Sequence, residues 1–237
     1  MHCSKKGKKF KYETHMHTKE ASACAASTGA EMAQAYKAAG YTGIIVTDHF
    51  FNCNTAIPEN LPWETRVDLF CRGYRNALEE GKKCGLHVFF AWEYTYRGAD
   101  LLTYGLDQDF LLANPDILSW SVEEYFNVIH QNGGFISYAH PFRGEPEPVC
   151  LKLYTEHVDA VEVINTRNQN PESDERALRY AQEHGLLRTC GSDTHEAWLL
   201  KGGGMEFDRE LHSIREFIRE VTLAGGLPPH QRKALER

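Results

Sequence analysis

The segment Tyr12 to His17 reads YETHMH, with two histidines one residue apart at the end of a short strand-like run. Side chains alternate along a strand, so His15 and His17 point the same way from one edge. A core would favour aliphatic groups there, and a solvated edge has no need of paired imidazoles. The same residue types recur as TDH ending at His49, Glu93 after VFFAW, His140 in YAHP, and Asp193 with His195 in SDTH. Imidazole nitrogen and carboxylate oxygen are ligands that zinc, manganese and iron accept. Glu93 at the end of an apolar run needs a strong partner, because burying an unpaired carboxylate is costly. Asp48 reads as an acceptor that orients a neighbouring ligand rather than touching an ion itself.

Elements of two kinds must carry these groups. GAEMAQAYKAAG places Met32, Ala35, Tyr36 and Ala39 at helical spacing and stops at Gly40. GIIVTDH follows as a strand. Val67, Phe70, Tyr74, Ala77 and Leu78 share one face of a single helix predicted over 64–85, which leads into the strand HVFFAWEY. Ser121 with Glu124 predicts a capped helix start, and GFISYAH follows it. VDAVEVINT reads as a strand, SDERALRYAQEHG as a helix and LLRTCGSDTH as a strand, and a closing helix is predicted near Asp208 to Ala224. The alternation predicts an α/β fold of roughly seven mostly parallel strands with helices outside. LLTYGL follows the Glu93 strand too closely for a crossover helix, so the barrel is expected to be irregular. Each histidine or carboxylate above closes a strand, and in a (β/α) barrel those ends converge on one mouth. A cluster of five imidazoles and several carboxylates there predicts a site for more than one metal ion.

The bulk properties agree with that plan. A chain of 237 residues with 42% hydrophobic and 25% charged residues is an ordinary globular composition. We read residues 1–237 as one barrel domain, with a core from about 10 to 225 and a polar tail over 226–237. A net charge of -7 argues against broad nucleic-acid binding. No apolar run approaches the ~18 residues of a membrane span, and the basic start MHCSKKGKKFKY lacks the apolar stretch of a secretory signal. Seven cysteines without a CxxC pair read as reduced thiols, so a cytoplasmic protein is expected.

HMH within Thr14 to Thr18, TDH, Glu93, AHP at Ala139 to Pro141 and SDTH at Ser192 to His195 together resemble the polymerase and histidinol phosphatase (PHP) superfamily, in that family's order. The resemblance implies a distorted (β/α)7 TIM-like barrel. It also implies two or three divalent ions, of zinc, manganese, iron or magnesium, and hydrolysis of phosphoesters. His15, His17, Glu93 and Asp193 are then expected around one ion, Glu93 bridging to a second at His140, and His49 with His195 serving a third. Two positions depart from the family pattern. Serine stands at position 22, where many members carry aspartate, and Glu20 is the nearest replacement. Asp100 stands where many members place a histidine after the bridging glutamate; an oxygen ligand there would shift preference toward manganese, iron or magnesium. Glu20 and Asp100 are read as metal ligands, with surface charge the alternative for each.

Closely spaced ions can acidify a shared water and neutralise phosphoryl oxygens as charge builds on them. Arg143 after AHPF and Arg167 after VEVINT are the candidates to hold those oxygens, since planar guanidinium pairs its donors. His195 is a candidate to protonate the leaving alkoxide. The expected partner is a small phosphorylated metabolite or nucleotide, with neither nucleic acid nor membrane. Two rivals remain open: an amidohydrolase-like enzyme acting on C–N bonds, and a non-catalytic barrel that binds metal or nucleotide. The aromatics of FFNCNTAIPENLPW, Phe50 to Trp63, are read either as ring contacts at the rim or as packing. No feature of the sequence announces an oligomeric state.

Overall fold

A computed structural model describes residues 8–144 and 155–225. Its strands are β1 (Phe10–Met16), β2 (Gly43–Val46), β3 (His87–Tyr96), β4 (Ala99–Tyr104), β5 (Phe135–Tyr138), β6 (Ala160–Asn165), β7 (Leu187–Gly191) and β8 (Met205–Phe207). They form one sheet in the order β7-β6-β5-β4-β3-β2-β1-β8. The helices are α1 (Gly29–Ala38), α2 (Trp63–Phe70), α3 (Arg72–Cys84), α4 (Gln108–Ala113), α5 (Val122–Gln131), α6 (Pro171–His184) and α7 (Ile214–Gly225).

β1, β2 and β3 pair in parallel, as do β5, β6 and β7. β2 is buried at all four positions, as expected of a parallel strand covered on both faces. Between the two parallel groups β4 runs antiparallel to both neighbours. The β3–β4 link is a two-residue turn, Arg97 (φ 49) and Gly98 (φ 80), whose paired positive φ angles suit the right-handed twist of a hairpin. That tight turn is why no crossover helix follows Glu93. The sheet nearly closes on itself: His17 N–H donates to Thr194 O at 2.9 Å and Asp193 N–H to His15 O at 2.8 Å. The first half of β1 is covered instead by antiparallel β8, an eighth strand of only three residues and too short to show alternation.

The helix predicted over 64–85 is two helices, parted at Cys71. Past the break α3 lies backbone to backbone against α1. A Cβ on Gly29 would sit 2.0 Å from Gly73 O, and one on Gly73 would sit 1.9 Å from Thr18 Oγ1. The closing helix begins at Ile214, later than expected. The chain before it is occupied in binding β1: Tyr12 O–H donates to Leu211 O at 3.1 Å and accepts from Leu211 N–H at 2.7 Å. Ser121 caps α5 by accepting from Glu124 N–H at 3.1 Å, as read from sequence.

Phe50 and Phe51 are buried beside Phe70 and Trp92, and Trp63 donates its indole N–H to Leu111 O at 2.8 Å. These aromatics therefore pack the interior, and the reading of them as rim contacts falls. Among the described residues every cysteine is free, and no helix is long and apolar enough to cross a membrane. The basic start before Lys8 and the polar tail over 226–237 lie outside the described residues.

Candidate metal centre

The ends of β1, β2, β3, β5 and β7 meet around Glu93. His15 Nε2 lies 3.3 Å from Glu93 Oε1 and His140 Nε2 3.4 Å from the same oxygen. His49 Nδ1 lies 2.7 Å and His17 Nε2 3.5 Å from Oε2. Both oxygens are buried, yet neither receives a properly directed hydrogen bond. Four imidazole nitrogens thus converge on one carboxylate at 2.7–3.5 Å with no well-aligned hydrogen bond, an arrangement that suits ligands facing a shared cation. His15 Nε2 and His17 Nε2 stand 3.2 Å apart. Two nitrogens bonded to one ion at about 2.1 Å would have that separation at an angle of about 100°. Asp193 completes the group, its Oδ1 3.1 Å from His17 Nε2 and 3.6 Å from His15 Nε2. The nitrogen and oxygen donors fit a divalent ion, and three further sets share the region: His17, His49 and His195; Glu93, Asp100 and His140; and His15, His140 and Glu162.

The orientation of each imidazole is enforced from behind. Glu162 Oε1 lies 3.0 Å from His15 Nδ1 and accepts its N–H, leaving Nε2 to face the cluster. Glu162 also accepts from His140 N–H at 3.1 Å and from Asn165 Nδ2 at 2.8 Å. His17 Nδ1 lies 3.2 Å from Ser22 Oγ, which donates to Asp48 Oδ1 at 2.7 Å; Asp48 also accepts from Thr18 N–H at 2.6 Å and Thr18 O–H at 2.7 Å. Asp48 therefore stands behind the ligands. Glu13 gathers N–H groups from Thr14, His15 and Ser192, tying β1 to the end of β7. His140 (φ 29) and Asp193 (φ 53) hold left-handed backbone, a strain of about 1–3 kcal/mol each that concentrates at working sites.

Two sequence-predicted ligands part company. Asp100 joins the cluster, its Oδ2 3.9 Å from His140 Nε2 while Oδ1 accepts from Thr95 O–H at 2.6 Å. Glu20 does not. Its carboxylate accepts from Gly29 N–H in the first turn of α1 at 3.1 Å and from Asn76 Nδ2 at 2.8 Å, and it belongs to none of the ligand sets. The open first turn of a helix competes for a nearby carboxylate, and here it wins. Cys53 Sγ lies 3.3 Å from His49 Nδ1.

Arg143 donates Nε–H to Asn168 Oδ1 at 3.0 Å, an Nη2 proton to Asn165 Oδ1 at 2.6 Å, and an Nη1 proton to Asp193 Oδ2. Arg167 Nη1 lies 3.3 Å from Asp193 O and 3.1 Å from His195 Nδ1. His195 Nδ1 is itself 2.8 Å from Asp193 O, so a proton on Nδ1 leaves Nε2 with a free lone pair. Beside the cluster, Arg143, Arg167, Asn168, Gln169 and Asn170 line a cavity of about 340 Å³.

The charges agree with the geometry. Burial works to raise the pKa of Glu93, but His15, His140 and His49 outweigh it and hold the carboxyl well below its usual range. Asp193 is held low in the same way, by His15 and His17 against burial. Burial together with its imidazole neighbours keeps His17 neutral, with its pKa well below the ordinary value. His15 goes the other way: burial opposes its proton, yet Glu162, Asp193 and Glu93 raise its pKa well above normal. A cation would take the place of that proton.

No family model and no curated protein matches the chain. Solved structures do. A provisionally assigned metal-dependent phosphoesterase from Bifidobacterium adolescentis superimposes with a TM-score of 0.58 at 17% identity, covering 90% of this chain and 96% of the other. A two-domain protein from Bacteroides vulgatus, containing a predicted PHP-like metal-dependent phosphoesterase, gives 0.63 at 17% identity over 89% of this chain; the match spans 62% of that longer protein. An amidohydrolase from Chromobacterium violaceum, solved with sulfate and without metal, gives 0.56 at 14% identity over 92% of this chain and 98% of the other. The fold is thus the distorted α/β barrel that these solved structures share.

Proposed function

We propose that this protein is a metal-dependent phosphoesterase acting on a small phosphorylated metabolite or nucleotide. The observation that carries the reading is Glu93, a buried carboxylate ringed by His15, His17, His49 and His140 with neither oxygen satisfied by a donor. His15, His17, Glu93 and Asp193 would hold one ion, Glu93, Asp100 and His140 a second, and His49 with His195 a third. Such ions, when bound, acidify a water and draw charge from phosphoryl oxygens. The chain's own residues do the rest. Glu162, and Ser22 with Asp48 behind it, fix the imidazole tautomers, and Arg143 and Arg167 offer guanidinium donors at the mouth of the adjoining cavity. Where His195 does not hold an ion, its Nε2 would take a proton from solvent or substrate and return it to the leaving alkoxide.

Paired guanidinium groups match phosphate oxygens and favour a phosphoester over a C–N substrate. The phosphoesterase descriptions of two structural neighbours support the same reading at the level of fold. Hydrolysis of p-nitrophenyl phosphate and of its diester with added manganese tests it. Turnover that is lost in Glu93→Gln supports the proposal; turnover of cyclic amides without any phosphoester activity would transfer the assignment to C–N hydrolysis.

A further inference from the structure

Asn165 is the last residue of β6, and its side chain is buried at the mouth of the barrel. Its Oδ1 accepts from Arg143 Nη2 at 2.6 Å and from Arg167 N–H at 2.9 Å. Its Nδ2 donates to Glu162 Oε2 at 2.8 Å. These partners fix which end of the amide is which, because guanidinium and backbone N–H groups can only donate and an ionised carboxylate can only accept. One side chain therefore touches both arginine-bearing positions and the carboxylate behind His15.

The links continue on both sides. Glu162 Oε1 lies 3.0 Å from His15 Nδ1, and Oε2 also accepts His140 N–H at 3.1 Å. Toward the cavity, Asn168 Oδ1 accepts from Arg143 Nε at 3.0 Å, so the guanidinium is held on two edges by the two asparagines. Asn168 N–H donates to Asn165 O at 2.9 Å, and Asp174 of α6 accepts from Asn165 N–H at 3.3 Å and from Asn168 Nδ2 at 2.7 Å. The turn over 165–168 is thus locked to a helix, and a buried polar network with its partners in place specifies one geometry. An aliphatic side chain of similar size would fill the same space without any of these bonds, so packing alone does not call for an amide.

We propose that Asn165 is a positioning residue for both halves of the reaction: it aims Arg143 and the turn bearing Arg167 at the substrate phosphate, and it steadies Glu162, which orients His15 toward the ion. The inference rests on the phosphoesterase reading above and deepens it. Asn165 acts through these neighbours rather than on the reacting atoms. Loss of its amide therefore weakens two separate equilibria, the binding of metal through Glu162 and the binding of phosphate through Arg143.

Isothermal titration reads the two equilibria apart and needs no turnover: manganese into metal-stripped full-length protein, then inorganic phosphate into the manganese-loaded protein. Asn165→Ala should weaken each about tenfold, the effect of losing a hydrogen bond to a charged group. Adding Asn165→Ala to Glu162→Gln should weaken manganese no further, whereas a merely structural loss would add in full. Asn165→Asp keeps the shape but sets a second carboxylate against Glu162, so it should also weaken manganese, and it serves if the alanine variant does not fold. An alanine variant that keeps either affinity, a full additive loss in the double variant, or natural manganese affinity in Asn165→Asp would overturn the inference. The expected losses in a protein that hydrolyses no phosphoester would instead overturn the proposed function and leave the role of Asn165 standing. A natural protein that binds neither manganese nor phosphate would overturn both.

Discussion

Glu162 on β6 accepts the Nδ1 proton of His15 on β1 at 3.0 Å across 147 positions of sequence, and neither side chain is exposed. The pair decides which nitrogen of His15 faces Glu93. Glu162→Gln keeps the volume but loses the charge that fixes this tautomer. Metal affinity should fall about 10–100-fold, the range for carboxylates that support a metal-bound imidazole. Isothermal titration with manganese or zinc checks it; unchanged affinity would mean that His15 is oriented by something else.

Arg143 spends its guanidinium on Asn165, Asn168 and Asp193, a planar arrangement that lysine cannot copy. Arg143→Lys should keep the protein folded and lower kcat/KM on a phosphoester. Charged hydrogen bonds contribute about 1.5–3 kcal/mol each, so the loss should be about tenfold to a hundredfold. Steady-state kinetics that match the natural protein would remove Arg143 from substrate binding.

Gly73 faces Thr18, whose backbone and hydroxyl both donate to Asp48. A methyl group at this position meets Thr18 Oγ1 at 1.9 Å and backbone cannot move away cheaply, because α1 lies against the same turn. Gly73→Ala should cost about 1–3 kcal/mol, as overpacking does. Thermal unfolding should show it as a Tm lower by roughly 2–4 °C per kcal/mol for a chain of this size.

Cys24 gives a pH signature in chelator-treated protein. Burial would raise its pKa, but His195 and His49 prevail and bring the thiol from 9.0 down to about 6. Because the folded value lies below the unfolded one, the thiolate's stabilising contribution is complete above pH 9.0 and is lost as pH falls through about 6. Alkylation of Cys24 by iodoacetamide, followed by peptide mass spectrometry, should have its midpoint near 6. A midpoint at the ordinary thiol value would show that the imidazoles do not act on it.

Much of this arrangement was legible in the sequence because ligand-type residues ended apolar runs. His15, His17, His49, Glu93, His140, Asp193 and His195 each close or follow such a run, and barrel topology alone brings those ends together. What escaped was set by competition or by long-range contact. Glu162 interrupts the apolar strand AVEVIN just as Glu93 follows VFFAW, and the same cost argument could have found it. Glu20 was misplaced because the free N–H groups of α1 attract it, which only the position of that helix reveals. β8 was missed because three residues cannot display a period, and the break at Cys71 because helical spacing runs on across it.

The central claim is that the groups around Glu93 hold divalent ions. Elemental analysis of purified protein, loaded with manganese or zinc and freed of excess, tests it in one measurement when run beside Glu93→Gln. The account predicts two or more ions per natural chain and at least one fewer in the variant, since a neutral amide would replace a carboxylate that belongs to two of the ligand sets. A natural protein that retains no metal, or a variant that retains as much as the natural chain, would contradict it.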